Sequence, residues 1–111
     1  MIEIKLADNN FKTEHNIKHD AYICTDKGEV LGLVCFEMQK DKLFLESVIA
    51  TENMLLDGLV RQTMSYALDN DCKECIYTDE VQKALYSIRI IKKERQKSID
   101  ILDFFMQINH L

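Results

Sequence analysis

Apolar and polar residues alternate along the first half of the chain, a pattern typical of half-buried β-strands. Residues 1–7 predict a first strand with Ile2, Ile4 and Leu6 on one face. Three further strands are predicted over residues 21–25, 29–38 and 43–50. Asp26-Lys27-Gly28 separates the second strand from the third and predicts a tight hairpin turn.

The second half of the chain changes to helical periodicity. Residues 53–70 predict the longest helix, because apolar side chains recur three and four positions apart. Those side chains belong to Leu55, Leu59, Val60, Thr63, Met64, Ala67 and Leu68. A short strand is then predicted over residues 74–78, a second helix over 79–88 and strands over 89–93 and 98–101.

Residues 8–20 are polar and irregular, and they predict a loop or at most a short helix. An antiparallel meander followed by a β–α–β unit therefore predicts an α+β fold with a mixed, mostly antiparallel sheet, one long helix and one short helix. At 111 residues the chain suits a single domain, residues 1–111.

The composition excludes several classes of protein. A net charge of −5 argues against nucleic acid as a partner, because phosphate binding needs clustered Lys and Arg. No segment approaches the length of an apolar membrane span. Residues 1–5 lack the apolar stretch of a signal peptide, so we expect a cytoplasmic protein whose four cysteines are thiols.

Three local features resemble the GNAT acetyltransferase family, from residue 21 onward. Residues 28–33 read Gly-Glu-Val-Leu-Gly-Leu and match a strand pair around the family's G-x-x-x-G phrase. Residues 44–77 have its strand–helix–strand order. Ala84-Leu85-Tyr86, followed by Ile91-Lys92-Lys93-Glu94, is placed like its Y-x-x-x-G-F-K-K phrase, with Ile90-Ile91 in place of Gly-Phe.

The resemblance implies an acetyl-coenzyme A dependent transfer of an acetyl group to an amine. Glu46 lies on the strand from which relatives present a general base, and Tyr86 stands where they place the acid that protonates the departing thiolate. Main-chain N–H groups of Val48, Ile49 and Ala50 would bind the acetyl carbonyl and the pantetheine arm.

The chain departs from the family between its first two strands, where relatives have two helices that help to bind the acceptor. It departs again where relatives carry the coenzyme A phrase Q/R-x-x-G-x-G/A, whose glycines let backbone N–H groups approach the pyrophosphate. Residues 51–58 read Thr-Glu-Asn-Met-Leu-Leu-Asp-Gly instead.

Two alignments of this loop remain open. Counted from the strand, Gly58 fills the last glycine position, Leu56 the earlier one and Asn53 the Gln/Arg position. Counted back from the helix end, Met54 and Leu56 replace both glycines. The first alignment gives the candidate coenzyme A residues Asn53, Leu56 and Gly58. In either alignment a glycine is lost, and Glu52 and Asp57 would repel a pyrophosphate.

Other reactive residues predict no further site. Cys72 and Cys75 form a lone C-x-x-C without a second ligand pair, so packed thiols are expected and no metal. His15 and His19 would align only in a helix, and a polar loop is expected there. Phe104-Phe105-Met106 is expected to close the sheet as a terminal strand or turn, or to form a dimer seam.

Two functional hypotheses follow. The first is a GNAT-like acyltransferase that binds acetyl-coenzyme A and acts on an unidentified amine. The second is a non-catalytic domain of the same fold, a module for self-association or protein interaction, in which the cofactor loop has decayed. A thioester sensor without turnover is a third, weaker interpretation.

Overall fold

In the computed structural model, which describes residues 1–109, the chain folds into a six-stranded sheet with four helices. The elements are, in chain order, β1 (Ile2–Leu6), α1 (Asn9–Glu14), β2 (Asp20–Asp26), β3 (Glu29–Gln39), β4 (Lys42–Ala50), α2 (Asn53–Asp69), β5 (Glu74–Tyr77), α3 (Asp79–Ser87), β6 (Ser98–Asp100) and α4 (Ile101–Asn109). The strands follow one another across the sheet in this order, and all neighbours are antiparallel except β4 and β5. The predicted α+β class and mixed sheet are confirmed.

The hairpin between β2 and β3 has the turn that its sequence predicts. Lys27 and Gly28 both have positive φ, 52° and 84°, as a two-residue type I′ turn requires. Residues 8–20 contain the short helix α1, which the Asp8 side chain caps by accepting a hydrogen bond from the Phe11 N–H at 2.8 Å.

The helix α2 covers one face of the sheet and encloses the core. It lies so close to β3 that a Cβ on Gly32 would stand 2.6 Å from Leu59 Cδ1. Glycine at this position therefore sets the distance between helix and sheet. The largest fully buried side chains between them are Phe36, Leu43, Leu45, Leu59 and Met64.

A β-bulge interrupts β4 at Glu46. Phe36 of β3 lies opposite Leu45, whereas the preceding Cys35 lies opposite Ser47, so that Glu46 is an extra residue. Strict alternation predicts Phe44, Glu46 and Val48 on one face, and this is wrong. Val48 instead lies opposite Val34, on the α2 face, and Phe44 lies opposite Glu37 on the other face. The bulge reverses the alternation between them.

The predicted strand over residues 89–93 is also wrong. The chain turns at the end of α3, where the Arg89 N–H donates to the Tyr86 carbonyl and the Ile90 N–H to the Leu85 carbonyl. Ile90 and the neighbouring Ile91 are both buried, 4% and 0% exposed, so this segment has no strand-like alternation. The two adjacent isoleucines pack into the core from a turn, although their sequence is also typical of a short buried strand.

The predicted terminal strand or turn after β6 is a helix, α4. Ile101, Phe104 and Phe105 recur at helical spacing, and the Asp100 carboxylate accepts the Asp103 N–H at 2.9 Å, as an N-cap does. The exposed Met106 follows on this helix. Among the helices of residues 1–109, none is long and apolar enough to cross a membrane.

Candidate functional site

The strands β4 and β5 separate immediately after the bulge. Their last paired residues are Leu45 and Tyr77, and beyond them Thr78 still contacts β4. Its N–H donates to the Leu45 carbonyl and its hydroxyl to the Glu46 carbonyl, both at 3.4 Å. From there β5 gives way to α3, while β4 continues to Ala50. Because a bulge bends its strand and increases the local twist, it accounts for a separation at this point.

The separation leaves one edge of β4 without a partner strand over its last residues. The Thr51 N–H donates to the Leu31 carbonyl of β3 at 2.9 Å. By strand alternation the main-chain groups of Ile49 also point to β3, and those of Val48 and Ala50 point to the open edge. In the predicted set, Val48 and Ala50 thus direct their N–H groups to the open edge, whereas Ile49 directs its N–H group to β3 and has an exposed side chain, 67% accessible.

The predicted coenzyme A loop is largely helix, because α2 already begins at Asn53. The Leu56 N–H donates to the Glu52 carbonyl at 3.1 Å, and the Leu56 side chain is buried. Gly58 lies in the second turn, where its N–H belongs to the helical ladder. Of the three predicted residues, Asn53 lies in the exposed first turn of α2, where backbone N–H groups have no acceptor within the helix.

The start of α2 faces the end of α3 across a shallow pocket of about 380 Å³. Asn53 and Asp57 line it from α2, and Ser87, Ile88 and Arg89 from the other side. The candidate acid Tyr86 directly precedes Ser87, which lines this pocket. Tyr86 is 37% exposed and belongs to α3, which packs against β4.

The candidate base Glu46 belongs to a cluster that sequence spacing does not predict. Its Oε1 lies 2.6 Å from Nδ1 of His19, and Nε2 of the same imidazole lies 3.6 Å from Oε2 of Glu37. All three side chains lie on the sheet face opposite α2 and are 29–41% exposed. A protonated imidazole could bridge the two carboxylates.

The same cluster could also hold a divalent cation. One nitrogen and two carboxylate oxygens, from His19, Glu37 and Glu46, lie within 4.8 Å of one another. Zinc accepts such a ligand set. The other histidine of the predicted pair, His15, instead stacks on Phe11, with 3.9 Å between ring centroids.

The cysteine pair is structural. Burial raises the pKa of the Cys72 thiol, with smaller contributions from Asp41 and Asp71, and burial also raises the pKa of the Cys75 thiol. Both thiols stay protonated at neutral pH and are poor nucleophiles or metal ligands. The predicted packed thiols are confirmed.

Tyr77 stands where β4 and β5 separate, but its hydroxyl is already engaged. It donates to the Gln96 carbonyl at 2.7 Å, which ties residues 89–97 to the sheet. Burial, with a smaller contribution from Cys75, raises the pKa of Tyr77 to about 12. A structural role for this hydroxyl follows.

Sequence reasoning missed His19, Glu37 and Arg89 as members of the site. His19 and Glu46 are 27 residues apart, and Arg89 reaches the start of α2 only through the turn after α3. The turn after α3 carries a weak sequence signal. Helices commonly end on a residue in the left-handed region, and since no glycine follows α3, another residue, here Arg89, takes that position.

Comparisons with known proteins give the fold a name. No protein-family model and no curated protein matches the chain. Among solved structures, a protein of Exiguobacterium assigned as an acetyltransferase matches with a TM-score of 0.66 and 11% identity over 98% of this chain and 99% of that one.

Two further structures agree. A ribosomal-protein alanine N-acetyltransferase of Escherichia coli has a TM-score of 0.62 and 11% identity, covering 78% of this chain and 75% of its own. A Bacillus subtilis acetyltransferase in complex with CoA has a TM-score of 0.57 and 9% identity, covering 80% and 76%. The chain thus has the fold of the GNAT acetyltransferases, and the match over nearly the whole Exiguobacterium chain shows this fold at similar length.

Proposed function

We propose that this protein binds an acyl-coenzyme A thioester at the open edge of β4 and transfers the acyl group, acetyl in the first instance, to an amine. The observation that carries the proposal is the separation of β4 from β5 at Glu46. It supports the proposal because it leaves the main-chain N–H groups of Val48 and Ala50 without a partner strand, two and four residues beyond the candidate base. The acetyltransferase fold supports the same function.

The residues around this edge fit a coenzyme A thioester. Val48 and Ala50 offer N–H groups to the carbonyl oxygens of the thioester and of the amide-containing arm. The first turn of α2, from Asn53, offers N–H groups and the positive end of the helix dipole to phosphate. Glu52 and Asp57 oppose an anion there, whereas Arg89 brings a positive charge to the same pocket.

Acyl transfer by direct attack on an ammonium substrate removes two protons from the nitrogen and supplies one to the departing thiolate. Glu46 accepts the proton of the incoming ammonium, and His19, hydrogen-bonded to it, fixes the carboxylate orientation. The amine nitrogen then forms a bond to the thioester carbonyl carbon, and the carbon–sulfur bond breaks. Tyr86 donates a proton to the departing thiolate, and the second proton that the nitrogen loses restores the Tyr86 hydroxyl.

Thermal unfolding with and without millimolar acetyl-coenzyme A tests the binding step. At about a hundred times its dissociation constant a ligand stabilises the native state by roughly 2.7 kcal/mol, which raises the midpoint by several degrees in a domain of this size. We expect a saturating shift that acetyl phosphate does not reproduce. No shift at any concentration would contradict the proposal and favour the non-catalytic module.

A further inference from the structure

The two outermost strands of the sheet differ in what they offer to another strand. β6 has three residues and continues directly into α4. β1 has five residues, all of them exposed, and it pairs with β2 along one edge. Within residues 1–109, no strand pairs with its other edge. Such an edge is a template for a strand from another chain.

The hydrogen bonds of β1 show which main-chain groups lie on this free edge. The Ala7 N–H donates to the Ala21 carbonyl of the β2 segment at 2.9 Å. Because main-chain groups alternate in direction along an antiparallel strand, those of Glu3 and Lys5 also point to β2. The residues between them direct their N–H and C=O groups to the free edge. They are Ile2, Ile4 and Leu6.

The same three residues form a partly covered apolar row on one face of β1. Ile2 is 52% exposed, Ile4 39% and Leu6 38%. The row lies on the α2 side of the sheet, since a Cβ on Gly58 would stand 3.7 Å from Ile4 Cδ1. A neighbouring strand with apolar side chains at the matching positions would remove much of this row from water.

The other face of β1 carries two charges of opposite sign. Glu3 lies opposite Thr25 of β2, and Lys5 lies opposite Ile23, so neither has a charged neighbour across this pair of strands. In the part of the chain that the structure describes, neither Glu3 nor Lys5 forms an ion pair. Both charges are therefore available to a partner strand.

We propose that β1 pairs antiparallel with β1 of a second copy of this chain, about a two-fold axis at Ile4, and joins the two sheets into one. The two Ile4 residues exchange main-chain hydrogen bonds, and Ile2 of each copy exchanges them with Leu6 of the other. Glu3 of each copy then lies opposite Lys5 of the other. These are non-hydrogen-bonded pairs, in which the side chains are closest.

The charges allow this register and oppose its neighbours. A shift of two residues in one direction places Glu3 opposite Glu3, and in the other direction Lys5 opposite Lys5. Like charges directly opposite each other are destabilising. A shift of one residue places Ile4 opposite a charged residue and misaligns the hydrogen-bonding groups. Lysine on an edge strand commonly prevents pairing, whereas here each lysine gains a carboxylate partner.

Sedimentation velocity of the purified protein over a concentration series at low ionic strength tests the proposal. A contact of five residues a side is smaller than a standard interface, so we expect a monomer–dimer equilibrium in the micromolar range. Ile4→Pro removes an N–H that points to the free edge, a place where a strand tolerates proline. This variant should remain folded by circular dichroism and be monomeric throughout the series.

Charge reversal tests the register without changing a core residue. Glu3→Lys and Lys5→Glu each place like charges opposite each other, and each should weaken self-association about 10- to 100-fold. An equimolar mixture of the two variants should associate about as tightly as the wild type, because every charge then meets its opposite. Recovery in the mixture cannot arise from a change in folding.

Leu102→Lys is the control, since it changes an exposed apolar side chain on α4, far from β1 in the order of the sheet. It should leave the dimer unchanged. Loss of the dimer in Leu102→Lys but not in Ile4→Pro would place the contact on α4 and overturn the proposal. A dimer that neither charge variant weakens would also overturn it.

A wild type that stays monomeric throughout the series would overturn self-association and leave a strand of a different protein as the occupant of the edge. These outcomes are independent of acyl transfer. A dimer without thioester binding would contradict the proposed function alone, and thioester binding by a strict monomer would contradict the pairing of β1 alone.

Discussion

Glu46 shows how much of the candidate site depends on one inserted residue. As the extra residue of the bulge it lies where β4 and β5 separate, with its carboxylate 2.6 Å from the imidazole of His19. A regular strand would give Glu46 an ordinary place in the ladder, and Val48 would share its face. The bulge therefore supplies both the candidate base and the open edge beside it.

Glu46→Gln should lower the rate of acyl transfer about 10²- to 10⁴-fold, because the amide cannot accept the ammonium proton. Tyr86→Phe should lower it without abolishing thioester binding. The measurement is release of free thiol from acetyl-coenzyme A with a panel of amines, beside the thermal shift that acetyl-coenzyme A produces.

Glu37→Gln is the control for the base, since Glu37 contacts the same imidazole from β3 at 3.6 Å but lies away from the open edge. It should retain most of the activity. Equal losses in the Glu37 and Glu46 variants would indicate that the cluster acts through His19 or a bound cation, and not through Glu46 as the base.

At the scale of elements, the contact between α2 and the sheet determines where the helix begins and which of its groups a ligand can reach. Gly32 on β3 permits this contact, and Leu56 and Leu59 anchor the helix in the core. Because Leu56 is buried, a glycine there would open a cavity in the core and would not restore a phosphate-binding loop. The helix thus replaces the loop that the family resemblance implies.

Gly32→Ala and Gly58→Ala should change stability in opposite directions. The first places a Cβ 2.6 Å from Leu59 Cδ1 and 3.2 Å from Ala50 Cβ, and should lower the free energy of unfolding by about 1–3 kcal/mol. The second adds a Cβ within the helix α2, and its nearest neighbour, Ile4 Cδ1, would lie 3.7 Å away. Because alanine favours a helix more than glycine does, this variant should raise the free energy of unfolding by about 0.5–1 kcal/mol.

Urea unfolding of both variants measures the two effects. Gly58→Ala should also keep the response to acetyl-coenzyme A, because the Gly58 N–H lies within the helix. Destabilisation by Gly58→Ala, or loss of that response, would show that this glycine serves a ligand-binding turn.

At the scale of the whole molecule, one core holds several ionisable groups in their neutral form. Cys24, Cys72 and Cys75 are buried, and burial is the main cause that raises the pKa of each thiol above its ordinary value of 9.0. The unfolded chain releases these protons at lower pH than the folded protein does. Stability is therefore fully present below about pH 9 and falls as the pH rises further.

We expect the free energy of unfolding to fall above pH 9, by up to about 1.4 kcal/mol per pH unit for each thiol that the fold keeps protonated. Cys75→Ala should make the decline less steep, while Val81→Ala, another buried truncation, should lower stability without changing the pH dependence. Denaturant unfolding between pH 7 and 10.5 measures both. An unchanged slope in Cys75→Ala would contradict the effect.

The sequence by itself determined the elements whose pattern is local. Alternation predicts β1 to β4, helical spacing predicts α2 and α3, and Lys27-Gly28 predicts the hairpin, because each signal is complete within a few consecutive residues. The fold class follows from their order. The predictions for residues 89–93 and for α4 were wrong, because a short run of apolar residues is compatible with a strand, a helix or a buried turn until its packing is known.

The tertiary structure alone decided the composition of the candidate site. The bulge at Glu46 exists only in the pairing of β4 with β3, so no pattern within β4 reveals it. His19 contacts Glu46 across the sheet. Arg89 lines the pocket at the start of α2 because the chain turns after α3. Such contacts join residues far apart in sequence, and the free energy that selects them comes from burial of the whole core.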